Sequence, residues 1–351
     1  MTGKAFDIGD GIFFFFKRFG ENPLGVIWIA VCQALLVAAL GALAITLLGP
    51  FYLGLFDLVA QEAGGTLSES QMEREVLTLL GPFLASMPLI ALLGIVSTLM
   101  FQAAWLRFLT RGEIAAVIPF RLGGDELRLL GVNLLYIVVG IAAYLGIAMA
   151  AGLVALVAAG VFAGSDGSMA GGMATGLIVF LGVLTISIIV IVFCIRLASA
   201  PALTMVDRRI RFFESWTASK GVFWHMALSY LVVIGLILVL STILGTVIQL
   251  VFLGALLPVI MEFAQMAEGH SDVSPDEVIA MLQGMLNNPG VMVGLATGLV
   301  LGYAMQIMFE GMWHGVGAYN AVRYRAGGDV EETDSPTLTA DHPAGASPSE
   351  G

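Results

Sequence analysis

MATGLIVFLGVLTISIIVIVFCI, residues Met173 to Ile195, carries no charged side chain and ends on Arg196. As a helix rising 1.5 Å per residue it is roughly 34 Å long, enough to cross about 30 Å of hydrocarbon. A strand of a membrane barrel would alternate apolar and polar residues, and this run shows no such alternation. In lipid every backbone N–H and C=O must find its partner within the protein, so an unbroken apolar run of this length reads as a helix. Runs of the same kind occupy residues 24–48, 79–106, 129–162, 222–257 and 289–320. The chain therefore reads as an all-α polytopic membrane protein with six transmembrane helices. Composition agrees. Of the 351 residues 58% are hydrophobic and 12% charged, against about 25% charged in a soluble domain. Six spans leave no room for a soluble catalytic domain.

The basic residues sort by gap. Lys4, Lys17 and Arg18 precede the first run, and Arg74 alone lies in the gap after it. Arg107, Arg111, Arg121 and Arg128 fill the second gap, and the third has none. Arg196, Arg208, Arg209, Arg211 and Lys220 fill the fourth, the fifth has none, and Arg323 and Arg325 follow the last run. Only Arg74 falls on the opposite side of the membrane from the other Lys and Arg residues. Basic loops stay cytoplasmic, which predicts both termini inside a bacterial cytoplasmic (inner) membrane. The loops then assigned outside are acidic, with Asp57, Glu62, Glu69, Glu73, Glu75, Asp166, Glu262, Glu268, Asp272, Asp276 and Glu277.

Three units follow. Residues 1–23 form a cytoplasmic amphipathic N-terminal segment, residues 24–325 the membrane domain, and residues 327–351 an acidic tail too poor in large apolar side chains to fold. Short amphipathic segments, Asp7–Phe19, Pro119–Leu130 and Asp207–Ser219, place basic beside bulky apolar residues. That mixture suits interfacial helices in the headgroup layer before spans one, three and five. The order of interfacial helix, span, span then predicts a threefold hairpin repeat. Ser274-Pro275-Asp276-Glu277 predicts the start of an amphipathic outer helix, and Ser70 with Glu73 a capping box leading into span two. Gly140, Gly146 and Gly152 in span three are read as sites of close helix contact. The stretch from Leu24 to Leu48 is longer than the apolar core of a signal peptide and reads as a retained span. Cys32 and Cys194 lie inside spans and imply no disulfide framework.

The sixth span is the most patterned. Gly290, Gly294, Gly298 and Gly302 recur every four residues, and Gln306, Glu310 and His314 continue the row. Four-residue spacing keeps all seven near one face. The glycines form overlapping small-xxx-small motifs that admit a neighbouring backbone, from another span or from a second copy. The polar half is a candidate functional row, because an ionisable residue at membrane depth is a functional-site hypothesis. The plainer reading is interfacial, with Glu310 and His314 hydrogen-bonded to Arg107 or Arg196. Gln33, Gln102, Asn133 and Gln249 read as helix–helix hydrogen-bonding residues.

Signatures of catalysis are missing from the sequence. It holds no Gly-rich phosphate loop ending in Gly-Lys-Ser/Thr, no His-Glu-x-x-His, no Cys-x-x-Cys and no Gly-x-Ser-x-Gly. His225, His270, His314 and His342 are scattered. No catalytic residue, metal site, cofactor or nucleic-acid partner is expected.

One segment resembles a known family. Arg196-Leu-Ala-Ser-Ala-Pro201-Ala-Leu, then Arg208–Arg211, then Glu214-Ser215-Trp216-Thr217-Ala-Ser-Lys220-Gly221-Val-Phe223-Trp224, is similar to the membrane domain of the bacterial glycerophosphoryl diester phosphodiesterases and its stand-alone relatives. Arg196, Pro201, Ser215, Trp216, Lys220, Gly221 and Trp224 carry the resemblance over about thirty residues. It implies a multi-pass membrane domain without the soluble phosphodiesterase barrel, so the enzymatic name does not transfer. Read from the residues alone, this segment is an interface anchor: a proline ending span four, a basic helix on the headgroups, and tryptophans in the aromatic belt. Arg208, Arg209, Arg211 and Lys220 are then contacts to anionic lipid headgroups. The expected function is that of a non-enzymatic membrane module engaging lipid or supporting the envelope. The alternative is a small-solute transporter or channel using Gln306, Glu310 and His314.

Overall fold

The computed structural model describes residues 5–63, 68–114, 118–164, 168–269, 284, 285 and 287–328, and every regular element among them is helical. In chain order these are α1 (Ile8–Ile12), α2 (Phe14–Glu21), α3 (Pro23–Ala63), α4 (Glu69–Arg111), α5 (Gly124–Ala163), α6 (Met169–Leu197), α7 (Ala200–Asp207), α8 (Glu214–Ala218), α9 (Phe223–Gly269) and α10 (Pro289–Gly328). Six of them, α3, α4, α5, α6, α9 and α10, are long and apolar enough to cross a membrane. They pair as consecutive hairpins, α3 with α4, α5 with α6, and α9 with α10. The protein is an all-α multi-pass membrane protein.

The helices outrun the apolar runs that define them. α3 continues past Leu48 to Ala63, and α10 reaches Gly328 instead of stopping before a coil at Gly327. Pro50, Pro82, Pro88 and Pro258 lie inside long helices. The remainder of the acidic tail and the Ser274–Glu277 helix start lie outside the described residues.

The core gathers where the Lys and Arg residues lie. Buried side chains run through Phe101–Leu109 at the end of α4, the first turns of α5, all but the last two residues of α7, and Met312–Ala321 at the end of α10. Away from this basic end few large side chains of the helices are buried, and many are exposed. That is the pattern of surface meant for lipid, where an apolar side chain gains little by touching protein instead. Hydrogen bonds between hairpins keep to the same end. Asn133 Nδ2 donates to Gln102 Oε1 at 2.9 Å, and the Tyr303 hydroxyl donates to the Ala30 carbonyl at 3.0 Å.

Three expectations are corrected. Before span one, α1 and α2 are the short helical elements expected. They do not simply float on headgroups: Phe15 packs against Trp105, and Phe6 against Tyr319. Before span three, residues 118–123 are irregular and α5 starts at Gly124, with Asp125 and Glu126 turned inward to partly buried Arg111 and buried Arg107. Before span five, the chain forms two short helices. Arg208 adopts a left-handed conformation (φ 53°) that ends α7, and α7 is buried among the hairpins, leaving no continuous amphipathic helix over Asp207–Ser219.

Smaller corrections follow. The cap of α4 is Ser68 with Gln71, not Ser70 with Glu73: the Ser68 amide donates to Gln71 Oε1 at 3.0 Å. A Cβ on Gly140, Gly146 or Gly152 would meet nothing within 4 Å, so these glycines mark no close helix contact.

Candidate functional site

The basic end is built from two interlocked sets of polar side chains. The first joins α4 to α5. Arg107 (4% exposed) reaches back from the last turns of α4 to Glu126 (3% exposed) and donates to the Pro119 carbonyl at 3.2 Å. Arg111, one turn on, donates to Asp125 Oδ2 at 2.6 Å and to the Met205 carbonyl of α7 at 3.2 Å. Arg128 holds the other oxygen of Asp125 at 2.9 Å. Spacing explains the geometry. Arg107 and Arg111 are four residues apart and share a helix face, while Asp125 and Glu126 both lie in the first turn of α5, where the helix dipole favours carboxylates. In a low-dielectric end a lone guanidinium would be costly, and the paired carboxylates offset that cost.

The second set joins α6, α7, α8, α9 and α10, and it contains the residues of the family resemblance. Arg196 lies against the Trp216 and Phe223 rings, 5.4 and 4.9 Å from their centroids, and donates to Ser219 Oγ at 3.3 Å. Ser215 Oγ donates to the Arg196 carbonyl at 2.8 Å. Pro201 sits in the first turn of α7, where its missing N–H costs nothing, so it starts a helix as well as following one. Gly221 takes φ +81°, a conformation that L side chains rarely adopt, in the turn before α9. Trp224 is 79% exposed beside that turn. Asn320 of α10, fully buried, donates to Ser199 Oγ at 3.0 Å and to the Ala218 carbonyl at 3.4 Å. These contacts make the segment a joint between three spans.

The candidate headgroup residues divide by partner. Arg211 pairs with Asp207 and Glu214, and the Glu214 carboxylate holds its guanidinium above the ordinary pKa range. Arg208 is exposed and reaches Glu113 at 3.3 Å. Arg209 and Lys220 are exposed and have no ion-pair partner among the described residues. Arg121 shares that state. Ile210, Phe213, Trp216 and Trp224 are exposed on the same segment as Arg209 and Lys220.

In span six the structure separates the row. Gly294 faces Ala255 and Gly298 faces the Phe252 ring of α9, where a Cβ would lie 2.7 Å from ring carbons. Gly290 meets only Asn288, and Gly302 opens on space. Gln306 is exposed, while Glu310 and His314 are partly buried. Neither reaches Arg107 or Arg196, because those arginines are already engaged by Glu126 and by the Ser219–Trp216–Phe223 cage. Of the other intramembrane polar residues, Gln33 accepts from Trp105 Nε1 at 2.9 Å, Gln102 joins Asn133, and Gln249 is exposed.

Sequence reading missed Glu126, Asp125 and Asn320. The adjacent acids opening a basic segment were the available signal for the first two. Asn320 gave none, being one polar residue in a helix end.

No protein-family model matches the chain, and neither a curated protein nor a solved structure matches it.

Proposed function

We propose that this chain is a non-enzymatic multi-pass module of the bacterial cytoplasmic membrane, oriented with both termini inside, that engages anionic lipid headgroups through its basic end. The observation that carries the reading is the pair of exposed cations, Arg209 and Lys220, that have no ion-pair partner among the described residues, in a segment that also exposes Phe213, Trp216 and Trp224. A cation with no carboxylate of its own keeps its charge free for a phosphate, and neighbouring aromatic rings suit the headgroup layer. The resemblance of residues 196–224 to a family of multi-pass membrane domains supports the same reading.

Each such cation near an anionic surface contributes about 1 kcal/mol at low salt, so two are worth roughly 30-fold in affinity. The full-length protein in mild detergent should retain phosphatidylglycerol in preference to phosphatidylcholine, with added salt eroding the preference. The double variant Arg209→Gln, Lys220→Gln should lose most of it while melting at the parental temperature. Equal retention of both lipids by the parent protein refutes the reading.

A further inference from the structure

A cleft of about 660 Å³ opens in front of the first turn of α5, within the span of roughly 300–1,000 Å³ typical of small-molecule sites. Its wall combines two incompatible demands. The first is for an anion. α5 is 40 residues long, and its N-cap, Gly123, has extended backbone and offers no capping side chain, so the leading amides lack the acceptor a serine or aspartate would supply. Such a terminus attracts negative charge. Arg121 stands on the same wall with no partner among the described residues. Arg128 lies across the turn, its Nη1 3.2 Å from where a Cβ on Gly124 would sit. Its guanidinium has five N–H donors, and Asp125 occupies one of them.

The second demand is for a donor. Glu126 is 3% exposed, and its Oε1 is held by Arg107. Its Oε2 is itself shielded from solvent, has no hydrogen-bond partner among the described residues, and lies 3.4 Å from where a Cβ on Gly123 would project, just behind that stretch of the cleft wall. Leaving a buried charged acceptor unmatched is costly. An anion alone leaves Oε2 unsatisfied, and an amine alone leaves Arg121 and the helix terminus unsatisfied. Leu122 and Leu127, adjacent in sequence to lining residues, and Ile118, three residues before Arg121, are exposed, the kind of surface that meets the bilayer interface.

We propose that this cleft binds a phosphate ester bearing a primary ammonium, the chemistry of phosphoethanolamine. The phosphate sits on the Gly123–Gly124 turn with Arg121 and Arg128, and the ammonium donates to Glu126 Oε2. This rests on the headgroup reading only for the lipid as a source of the ligand, since a soluble phosphoamine offers the same groups.

Calorimetric titration of the full-length protein in detergent tests it, with phosphoethanolamine, phosphocholine and inorganic phosphate as probes. Phosphoethanolamine should saturate and bind most tightly, because the quaternary ammonium of phosphocholine has no N–H to donate and phosphate alone has no ammonium. Arg121→Gln, at an exposed residue without an ion-pair partner among the described residues, should weaken it by about tenfold, the loss of one charge-assisted hydrogen bond. Arg74→Gln, at an exposed cation near the other end of α4, should leave it unchanged. Competition by phosphatidylethanolamine in nanodiscs assigns the ligand to a lipid, and its failure to compete assigns a free phosphoamine. No saturable binding, equal binding of phosphocholine, or binding indifferent to Arg121→Gln overturns the site. Phosphoethanolamine binding that survives while the phosphatidylglycerol preference is absent removes only the headgroup-surface reading. The reverse result removes only this cleft.

Discussion

Glu126→Leu tests whether the basic end is held by its buried ion pairs. The Arg107 guanidinium is buried, with 4% of the residue exposed. Once Glu126 is gone, its remaining partners are the Pro119 carbonyl at 3.2 Å and Asp125 at 4.0 Å, an oxygen that Arg111 already holds at 2.6 Å. Breaking a buried pair by removing one member costs about 3–5 kcal/mol. Asp125 partly compensates, which places the expected loss near the lower bound, about 3 kcal/mol or two decades in the folded-to-unfolded ratio. Reversible unfolding in mixed micelles with increasing sodium dodecyl sulfate reads this directly. The double variant Arg107→Met, Glu126→Leu removes both charges and replaces them with apolar side chains, a change that is often neutral or better at buried pairs. It should recover more than half of the loss. Two outcomes refute the reasoning: Glu126→Leu within about 0.5 kcal/mol of the parent, or a double variant whose loss equals the sum of the two single losses, which would mean no coupling.

Gly298→Leu should lower the detergent melting temperature, since its Cβ would enter the Phe252 ring and overpacking costs roughly 1–3 kcal/mol. Gly302→Leu, facing open space, should not, and equal melting of both variants would sink the packing assignment. For orientation, single cysteines at Lys220 and Ser70, both exposed, are introduced in a chain lacking Cys32 and Cys194. Impermeant thiol reagent on intact cells should label Ser70→Cys and spare Lys220→Cys, and the opposite pattern would invert the topology. Ser219 is a poor probe position, because it is buried and bonded to Arg196 and the Trp216 carbonyl.

The spans were legible because a membrane helix is specified by its own residues. The unbroken uncharged run of 173–195 needs no knowledge of neighbours to be recognised. The joint at Arg196–Trp224 was half legible, since its contacts are local, Ser215 to Arg196 and Ser219 to Trp216. What stayed hidden is pairing across distance. Counting charges sorts Arg107, Arg111, Arg211 and Arg325 with the loop cations. In the structure each of them meets a carboxylate, on Glu126, Asp125 or Asp207, from another turn or another helix. Charge sign is a property of the sequence, and charge availability is a property of the fold. Likewise Gly294 and Gly302 are indistinguishable in the four-residue row, and only the course of α9 decides that one is covered and the other is not.

That distinction bears on how the protein is held in lipid. Between hairpins, apolar side chains gain nothing by exchanging acyl chains for one another, so association must come from close packing and polar contacts. The described ones cluster at one end: Asn133 with Gln102, Tyr303 with Ala30, Asn320 with Ser199, and Arg325 with Asp207. Stability and the proposed headgroup contacts therefore share the same few turns. They are kept apart by pairing. Cations that meet carboxylates, such as Arg107, Arg111 and Arg211, fasten helices, and substituting them perturbs the fold before it perturbs binding. Arg121, Arg209 and Lys220 fasten nothing among the described residues and are the positions where charge can be removed with the fold intact. A loss of lipid retention at those three residues is then a statement about binding, whereas the same loss at Arg107 is first a statement about folding.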